Sequence, residues 1–113
     1  MFIYKIFRAT EWDDLCAAGE TLGAPIDLAD GFIHFSTAAQ VVETAAKHFA
    51  EMPDLILAWV DSAPLGTALK WEKSRGGALF PHLYGALKRS EVHRHDLLPL
   101  GADGRHIFPA LPS

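Results

Sequence analysis

The stretch Asp30–Thr37, with the sequence DGFIHFST, decides the fold because it contains a turn, a short strand and the start of a helix. Side chains alternate across a strand, so we predict Phe32, His34 and Ser36 on one face and Ile33 and Phe35 on the other. A strand that served only the core would carry an apolar residue in place of the histidine. An imidazole close to a helix N-terminus, where backbone amides can bind an anion, therefore predicts a functional site.

The segments around this stretch carry clear signals for further elements. The capping pattern Thr37–Gln40 predicts the helix that follows it, and Phe2–Phe7 has the composition of a strand. Thr10 is predicted to cap a helix that Gly19 ends. Leu55–Val60 shows no alternation of apolar and polar residues, so we predict a central strand that is covered on both faces. These signals predict two main helices and at least three strands.

The remaining elements are short. Leu22–Ala29 fits either a short helical turn or an ordered loop. Two strands are predicted at Ala68–Glu72 and Phe80–Tyr84, and Val92–Leu98 is predicted as the last strand. Together, these elements predict a small single α+β domain over residues 1–100, with bent, mostly antiparallel or mixed sheets. Residues 101–113 contain Gly and Pro with little pattern and are predicted to form a loosely docked C-terminal tail.

Composition restricts the class of protein. The chain has 113 residues, of which 50% are hydrophobic, enough to build one core. Its net charge of −4 gives no overall positive field, which disfavours nucleic acid as a partner. No apolar stretch is long enough to cross a bilayer, and the first residues do not resemble a secretory signal, so we expect a cytoplasmic protein without a membrane partner. The single cysteine, Cys16, is expected to pack as a small hydrophobe in a helix.

Three polar groups are candidates for a site. The first is His34 with Ser36 and Thr37; the alternative is that the hydroxyls only cap the helix and the ring is a buried, hydrogen-bonded core residue. The second is the segment Lys70–Gly77, which contains Glu72, Arg75 and Gly76 and suits a phosphate or carboxylate; the alternative is a solvated hairpin. The third is His82 with Tyr84, which share one face of a strand. We predict that the three groups converge on one cleft.

Two other kinds of site are disfavoured. His93 and His95 are predicted on one face of a strand and could contact a metal, but no further cysteine, histidine or carboxylate completes a set of ligands. We therefore predict no metal site. Cys16 lies within a predicted helix without an evident base beside it, which disfavours nucleophilic catalysis.

Three motifs carry a resemblance to a known family. They are Tyr4-Lys5, the stretch Asp30–Thr37, and Trp71–Gly85 with the sequence WEKSRGGALFPHLYG. By these motifs the chain resembles the bacterial family called domain of unknown function 952, over nearly all of residues 2 to about 100. That family is distantly similar to ADP-ribosyltransferases, which hold NAD in a cleft between two small, strongly bent sheets. The resemblance implies an ADP-ribosyltransferase-like fold.

The more distant resemblance also implies roles for individual residues. Transferases of the diphtheria-toxin type carry a strand His followed by Gly and a hydroxyl residue, which bind ribose and nicotinamide. His34 and Ser36 fit the first and third places, and Phe35 occupies the place of the Gly. Tyr84 would stack on nicotinamide and Glu72 would stabilise the oxocarbenium ion, although the order of Glu and Tyr along the chain is reversed from that family's pattern.

Two functions from different classes follow. The first is an NAD- or nucleotide-binding transferase or hydrolase, in which His34 and Glu72 are catalytic. Its ligand contacts come from the set Ser36, Thr37, Arg75, Gly76, His82 and Tyr84. The alternative is a non-catalytic module that binds a small anionic metabolite. Turnover of NAD by the purified protein discriminates between the two.

Overall fold

The computed structural model describes residues 1–112, and Arg75 by its backbone alone. It is a single α+β domain, as predicted. Its helices are α1 (Ala9–Ala18), α2 (Pro25–Asp30) and α3 (Ala38–His48), with short 3-10 turns at Ala63–Ala68, Arg75–Gly77 and Arg89–Glu91. Its strands are β1 (Phe2–Arg8), β2 (Glu20–Thr21), β3 (Ile33–His34), β4 (Leu55–Asp61), β5 (Leu69–Lys73), β6 (Leu79–Leu83), β7 (Leu87–Lys88) and β8 (Val92–Leu98).

The strand β4 is the centre of the main sheet, which confirms the prediction for Leu55–Val60. The sheet has the order β1-β4-β8, and both pairings are antiparallel. Alternate residues of β4 belong to different core clusters. Ile56, Ala58 and Val60 pack in one cluster with residues of α1, whereas Leu57 and Trp59 pack in the other with residues of α3. A strand buried on both faces needs apolar residues at every position, which explains the missing alternation.

A second sheet of order β3-β6-β5 carries the candidate residues His34, Glu72 and His82, and β2 pairs separately with β7. In this sheet His34 lies directly opposite His82, because β3 and β6 pair in antiparallel register. The strand that contains His34 also reaches the main sheet. The amide of Tyr4 donates to the carbonyl of Ser36 at 2.8 Å, and the amide of Ser36 donates to the carbonyl of Tyr4 at the same distance. The decisive stretch of the sequence therefore joins the two sheets.

The start of the helix α1 differs from the prediction. Arg8, not Thr10, is its cap residue, because the side chain of Glu11 accepts a hydrogen bond from the Arg8 amide at 2.9 Å. Gly19 ends the helix with a left-handed φ of 83°, as predicted. The expectation that Cys16 packs inside is wrong. The buried residues of α1 are Trp12 and Leu15, and Cys16 lies on the exposed side.

The ambiguous segment after β2 contains the helix α2. Pro25 occupies its first turn, where a missing amide hydrogen has no cost, and the side chain of Asp27 accepts a hydrogen bond from the Ala24 amide. Before this helix, Gly23 has a φ of +102°, and a Cβ atom there would lie 2.2 Å from the Asp27 carboxylate. A glycine is therefore required where the chain passes Asp27.

The segment after Gly101 contacts the core cluster that contains Leu57 and Trp59. Phe108 and Leu111 pack against this cluster, the hydroxyl of Tyr4 donates to the carbonyl of Pro112, and the His106 ring contacts the Met52 carbonyl at 2.7 Å. Within residues 1–112, no helix is long and apolar enough to cross a membrane.

Candidate functional site

The carboxylate of Asp27 joins three elements of the fold. Its Oδ2 atom accepts hydrogen bonds from Lys5 Nζ of β1 at 2.9 Å and from the Ala24 amide at 2.7 Å. Its Oδ1 atom contacts the His34 amide at 3.1 Å and Nδ1 of the His34 ring at 2.6 Å. Asp27 and Lys5 are both buried. A buried ion pair that also satisfies two backbone amides fixes the positions of β1, α2 and β3 relative to each other.

The surroundings of Asp27 keep its carboxyl group ionised. Burial by itself raises the pKa of this group, but the hydrogen bond from His34 and the positive charge of Lys5 outweigh it and lower the pKa to about 2. An ionised carboxylate accepts hydrogen bonds and donates none, so Nδ1 of His34 must carry the hydrogen of their contact.

The ring of His34 contacts carboxylates on both sides. Nδ1 donates to Asp27, and Nε2 lies 3.0 Å from Oδ2 of Asp30. Both contacts are hydrogen bonds when both ring nitrogens carry hydrogen, as in the imidazolium form. The side chain of His34 is 32% exposed, so it is held by the protein while part of its surface faces solvent. The ring is hydrogen-bonded, as the alternative interpretation expects, but it is not fully buried.

A second histidine is held in a similar way. Nδ1 of His82 contacts Oε1 of Glu72 at 2.9 Å, and the hydroxyl of Tyr84 donates to the same oxygen at 2.8 Å. The hydrogen bonds from His82 and Tyr84 lower the pKa of Glu72, and the bond to Glu72 raises the pKa of Tyr84. Because the ionised carboxylate only accepts, Nδ1 of His82 is a donor. Glu72, His82 and Tyr84 therefore form one hydrogen-bonded group.

The side chain of Phe32 connects the two histidine groups. Its ring stacks on the His82 ring with centroids 4.2 Å apart and planes 20° apart. The same ring lies 4.7 Å from His34 and 5.1 Å from Tyr84, and the two imidazoles are 5.3 Å apart. The alternation predicted for the decisive stretch places Phe32 on the face of His34, which explains the cluster.

A cavity of about 600 Å³ opens beside this cluster. Among the predicted site residues, those that line it are His34, Ser36, Gly76 and His82. Of the described side chains, Thr37, Glu72 and Tyr84 are not in the cavity wall, although Glu72 is joined to it through His82. The Arg75 side chain lies outside what the structure describes. The geometry thus brings His34, His82, Glu72 and Tyr84 together and places Gly76 on the same cavity.

The hydroxyl residues at the start of α3 have structural partners. The hydroxyl of Ser36 lies 3.1 Å from that of Thr44, and the Thr37 amide donates to the Gln40 side chain at 3.0 Å, as the capping pattern predicts. The Gln40 amide group then donates to the carbonyl of Leu79 at 2.7 Å, which attaches α3 to the second sheet.

The charged side chains in the cavity wall are paired. Among the described side chains, three lysine or arginine cations line the cavity, and each contacts a carboxylate that also lines it: Lys5 with Asp27, Arg8 with Glu11 and Lys47 with Glu43. These pairs contribute no net charge to the wall. Recognition of a ligand by its described wall therefore depends on the imidazoles and other polar groups more than on an excess of positive charge.

The pair His93 and His95 is not on one face, contrary to the expectation. The His93 ring contacts Phe2 at 5.0 Å, and the His95 ring contacts Trp12 at 4.6 Å. Phe2 and Trp12 belong to different core clusters. The pairing of β4 with β8 shifts at Trp59 and Val60, and this irregularity interrupts the alternation of β8.

Replacing His34 by alanine is expected to lower the free energy of unfolding by about 1–2 kcal/mol. Asp27 loses the hydrogen bond from the ring but keeps its contacts with Lys5 and the two amides. Urea denaturation measures the loss. A decrease beyond about 3 kcal/mol would assign the ring to the structural core instead of the cavity wall.

Comparisons with known proteins give a family and a solved relative. The chain is 52% identical to protein CC0527 from Caulobacter crescentus; the crystal structure of that protein matches with a TM-score of 0.91, over 95% of this chain and 94% of that one. The solution NMR structure of the same protein gives 54% identity and a TM-score of 0.84, over 92% and 90% of the two chains. No functionally curated protein matches the chain in sequence. The family model described as "Protein of unknown function (DUF952)" matches residues 6–95, and the chain belongs to this family.

Proposed function

We propose that the cavity binds a nucleotide, such as NAD or a related compound, and that the protein is a transferase or hydrolase acting on it. The observation that carries the proposal is the pair of imidazoles, His34 and His82. Both line the cavity, their centroids are 5.3 Å apart, and each has its Nδ1 atom held by a carboxylate. A carboxylate that fixes the orientation of a histidine in a cleft is typical of sites for proton transfer or for binding a polar ligand.

The size and lining of the cavity support a nucleotide. A volume of about 600 Å³ lies within the range of pockets that enclose small molecules. At one part of the wall the Arg8 guanidinium lies 5.3 Å from the centre of the Phe49 ring. A flat apolar ring beside a cation suits a heterocyclic base. The His34 ring suits a ribose or an amide that takes the place of the exposed Asp30 carboxylate at Nε2.

The proposed chemistry assigns different roles to the carboxylates. Cleavage of an N-glycosidic bond builds positive charge on the sugar, which a nearby carboxylate stabilises. Asp27 is ionised, but its side chain has no exposed surface and both of its oxygens accept hydrogen bonds from protein groups, so in this proposal it acts through the His34 ring that it holds. Glu72 holds His82 and acts through it, so we assign it as a positioning residue. Arg75 is adjacent in sequence to Gly76, which lines the cavity, and we assign it to a phosphate.

One observation supports the second candidate, a non-catalytic module for a small anionic metabolite. Glu72 is the residue that the resemblance assigns to stabilising an oxocarbenium ion. Its carboxylate is bonded to His82 and Tyr84 and is not in the described wall of the cavity. A binding module needs no such group.

A nucleotide is expected to raise the melting temperature, whereas free ribose is not. A ligand at about 100 times its dissociation constant adds roughly 2.7 kcal/mol to stability, which a thermal shift detects easily. NAD, ADP-ribose and AMP are the ligands to measure. Arg75→Ala should abolish the shift, and Lys73→Ala, which removes an equal charge from the same hairpin, should preserve it. If none of these nucleotides at millimolar concentration raises the melting temperature, nucleotide binding is refuted.

Release of nicotinamide from NAD, followed by chromatography, separates the two candidates. An enzyme releases it in a time-dependent manner, and His34→Ala should remove this activity. Stabilisation by NAD without any release would support the binding module.

A further inference from the structure

We infer that the carboxylate of Asp30 is a latch on His34. It holds Nε2 of the ring in the free protein, and a ligand that bonds to this nitrogen displaces it. The latch closes when the ring is protonated and opens when the ring is neutral, so acid weakens ligand binding. This inference adds a regulation to the proposed site and rests on the proposed function.

The ring of His34 lies between two carboxylates that differ in their freedom to move. Nδ1 contacts Asp27, whose side chain has no exposed surface and accepts hydrogen bonds from Lys5 and from two backbone amides. Nε2 lies 3.0 Å from Oδ2 of Asp30, whose side chain is 45% exposed. Among the residues that the structure describes, His34 is the only one that bonds to the Asp30 carboxylate. Asp27 is therefore fixed, whereas Asp30 can leave the ring and turn into solvent.

The position of Asp30 in α2 makes this contact easy to break. Asp30 is the last residue of the helix, which Gly31 ends with a φ of 85°. A carboxylate at a helix C-terminus lies beside unpaired carbonyl oxygens, and Asp27, three positions earlier, repels it. The imidazolium form of His34 offsets both repulsions. An exposed contact of this kind contributes little to stability, so a ligand can replace it.

The latch depends on the charge of the ring. Nδ1 donates to Asp27 in either form of the ring, because the ionised carboxylate of Asp27 only accepts. Nε2 therefore carries hydrogen only in the imidazolium form, in which it donates to Asp30. In the neutral ring, Nε2 is an acceptor that faces a carboxylate oxygen, also an acceptor, and the two repel. Loss of the proton thus opens Nε2 to a ligand that donates a hydroxyl or amide hydrogen.

Other charged or titratable groups near the ring stay in place whether the latch is open or closed. From β1, Lys5 faces the ring through Asp27. From β6, the His82 ring lies 5.3 Å away and is held in turn by Glu72 of β5. Imidazoles in general titrate near neutral pH, so the pH dependence of the unaltered protein is not specific to the latch. A variant of Asp30 isolates the latch, because it removes the contact and keeps all of these groups.

The first test needs no ligand. Long-range nitrogen–proton NMR spectra of the free protein should show Nδ1 of His34 protonated at about pH 5.5 and about pH 8.5, and Nε2 protonated only at the lower value. Asp30→Ala should make the Nε2 hydrogen exchange faster with water at the lower pH, because its acceptor is gone. Asp14→Ala, which removes an exposed aspartate of α1, should leave this exchange unchanged. An Nε2 atom that keeps its hydrogen, or lacks it, at both pH values would overturn the inference.

The second test uses ADP-ribose, whose phosphate groups do not titrate between these pH values. At the lower pH, isothermal titration should show roughly two- to fivefold tighter binding to Asp30→Ala than to the unaltered protein, the effect of one exposed ion pair. The gain should be smaller at the higher pH, where the latch is already open. Asp14→Ala removes the same charge outside the described cavity wall and should bind as the unaltered protein does.

The outcomes separate the latch from the proposed function. Equal gains for Asp30→Ala at the two pH values would assign the effect to its charge alone, and no gain at either pH would show that nothing is displaced. Either result would refute the latch and leave nucleotide binding intact. Failure of ADP-ribose, AMP and NAD to bind to any of the three proteins would refute the proposed function, and the displacement of Asp30 with it.

Discussion

Replacing Asp27 by alanine is expected to lower the free energy of unfolding by about 3–5 kcal/mol. The change removes one partner of a buried ion pair and leaves the ammonium group of Lys5, which is 7% exposed, without its carboxylate. It also removes the acceptor of two backbone amides, those of Ala24 and His34. Chemical denaturation by urea, followed by circular dichroism, gives the free energy directly.

Two further variants test whether the loss of stability comes from breaking the buried ion pair or from removing a negative charge in general. Glu43→Gln breaks the exposed pair with Lys47 on α3 and should have no measurable effect on stability. Adding Lys5→Met to Asp27→Ala should recover part of the lost stability, because the unpaired charge is then absent. A double variant less stable than Asp27→Ala would contradict this explanation and would assign the loss to packing.

The same carboxylate predicts the acid stability of the protein. The pKa of Asp27 is about 2 in the folded chain, whereas the ordinary value, which applies to the unfolded chain, is 3.8. The folded state therefore binds the proton less readily than the unfolded state. The stabilisation by ionised Asp27 is fully present above the ordinary pKa. It is lost as the pH falls through the pKa of the folded state. Unfolding curves of the unaltered protein should therefore show decreasing stability between about pH 4 and pH 2, and Asp27→Ala should reduce the slope in that range.

The main sheet and its neighbours could be predicted because their signals are local. The apolar run Leu55–Val60 has no polar residue, and a strand buried on both faces is the arrangement that such a run favours. The alternation of Phe32, His34 and Ser36 similarly predicts which side chains share a face. The convergence of His34 and His82 follows from strand pairing, which a single sequence suggests but does not fix.

The role of Asp27 was not predicted, because its partners are distant in sequence. Lys5 lies 22 positions away and His34 lies 7 positions away. A signal was nevertheless present. Lys5 interrupts the apolar strand Phe2–Phe7, and a lone charge in a buried strand requires a partner of opposite charge elsewhere in the chain. The ambiguous segment Leu22–Ala29 is where that partner lies.

The relation of Glu72 to the cavity also depends on tertiary structure. From the sequence, Glu72 and His82 are members of two separate polar groups. The pairing of β5 with β6 places Lys70 opposite His82, and the Glu72 side chain reaches His82 and Tyr84 from the next position on the same face. A carboxylate predicted to meet the ligand is thus bonded to a residue that lines the cavity. Residue type and spacing do not tell whether a carboxylate lines the cavity itself or holds another residue that lines it.

Replacing Trp59 by alanine is expected to lower the free energy of unfolding by about 3–5 kcal/mol, because it opens a large cavity in a core that cannot collapse around it. Trp59 lies in the central strand, is 4% exposed, and packs edge-on against Tyr4 and Phe2 with ring centroids 5.4 and 5.8 Å away. Arg94 covers its ring at 4.7 Å. All these partners lie on strands of the main sheet, so their backbones cannot close the space without disturbing the pairing of β4 with its neighbours.

The matched control is Trp71→Ala, which removes the same side chain from a position that is 41% exposed on β5. Its effect should stay within about 1 kcal/mol. The two variants remove the same side chain and differ in how deeply it is buried. The difference between their unfolding free energies in urea therefore measures the stability that the main sheet gains from burying Trp59. Similar losses for both tryptophans would show that the second sheet depends on Trp71 as strongly as the main sheet depends on Trp59. In that case the surface of β5 would be a packed structural face.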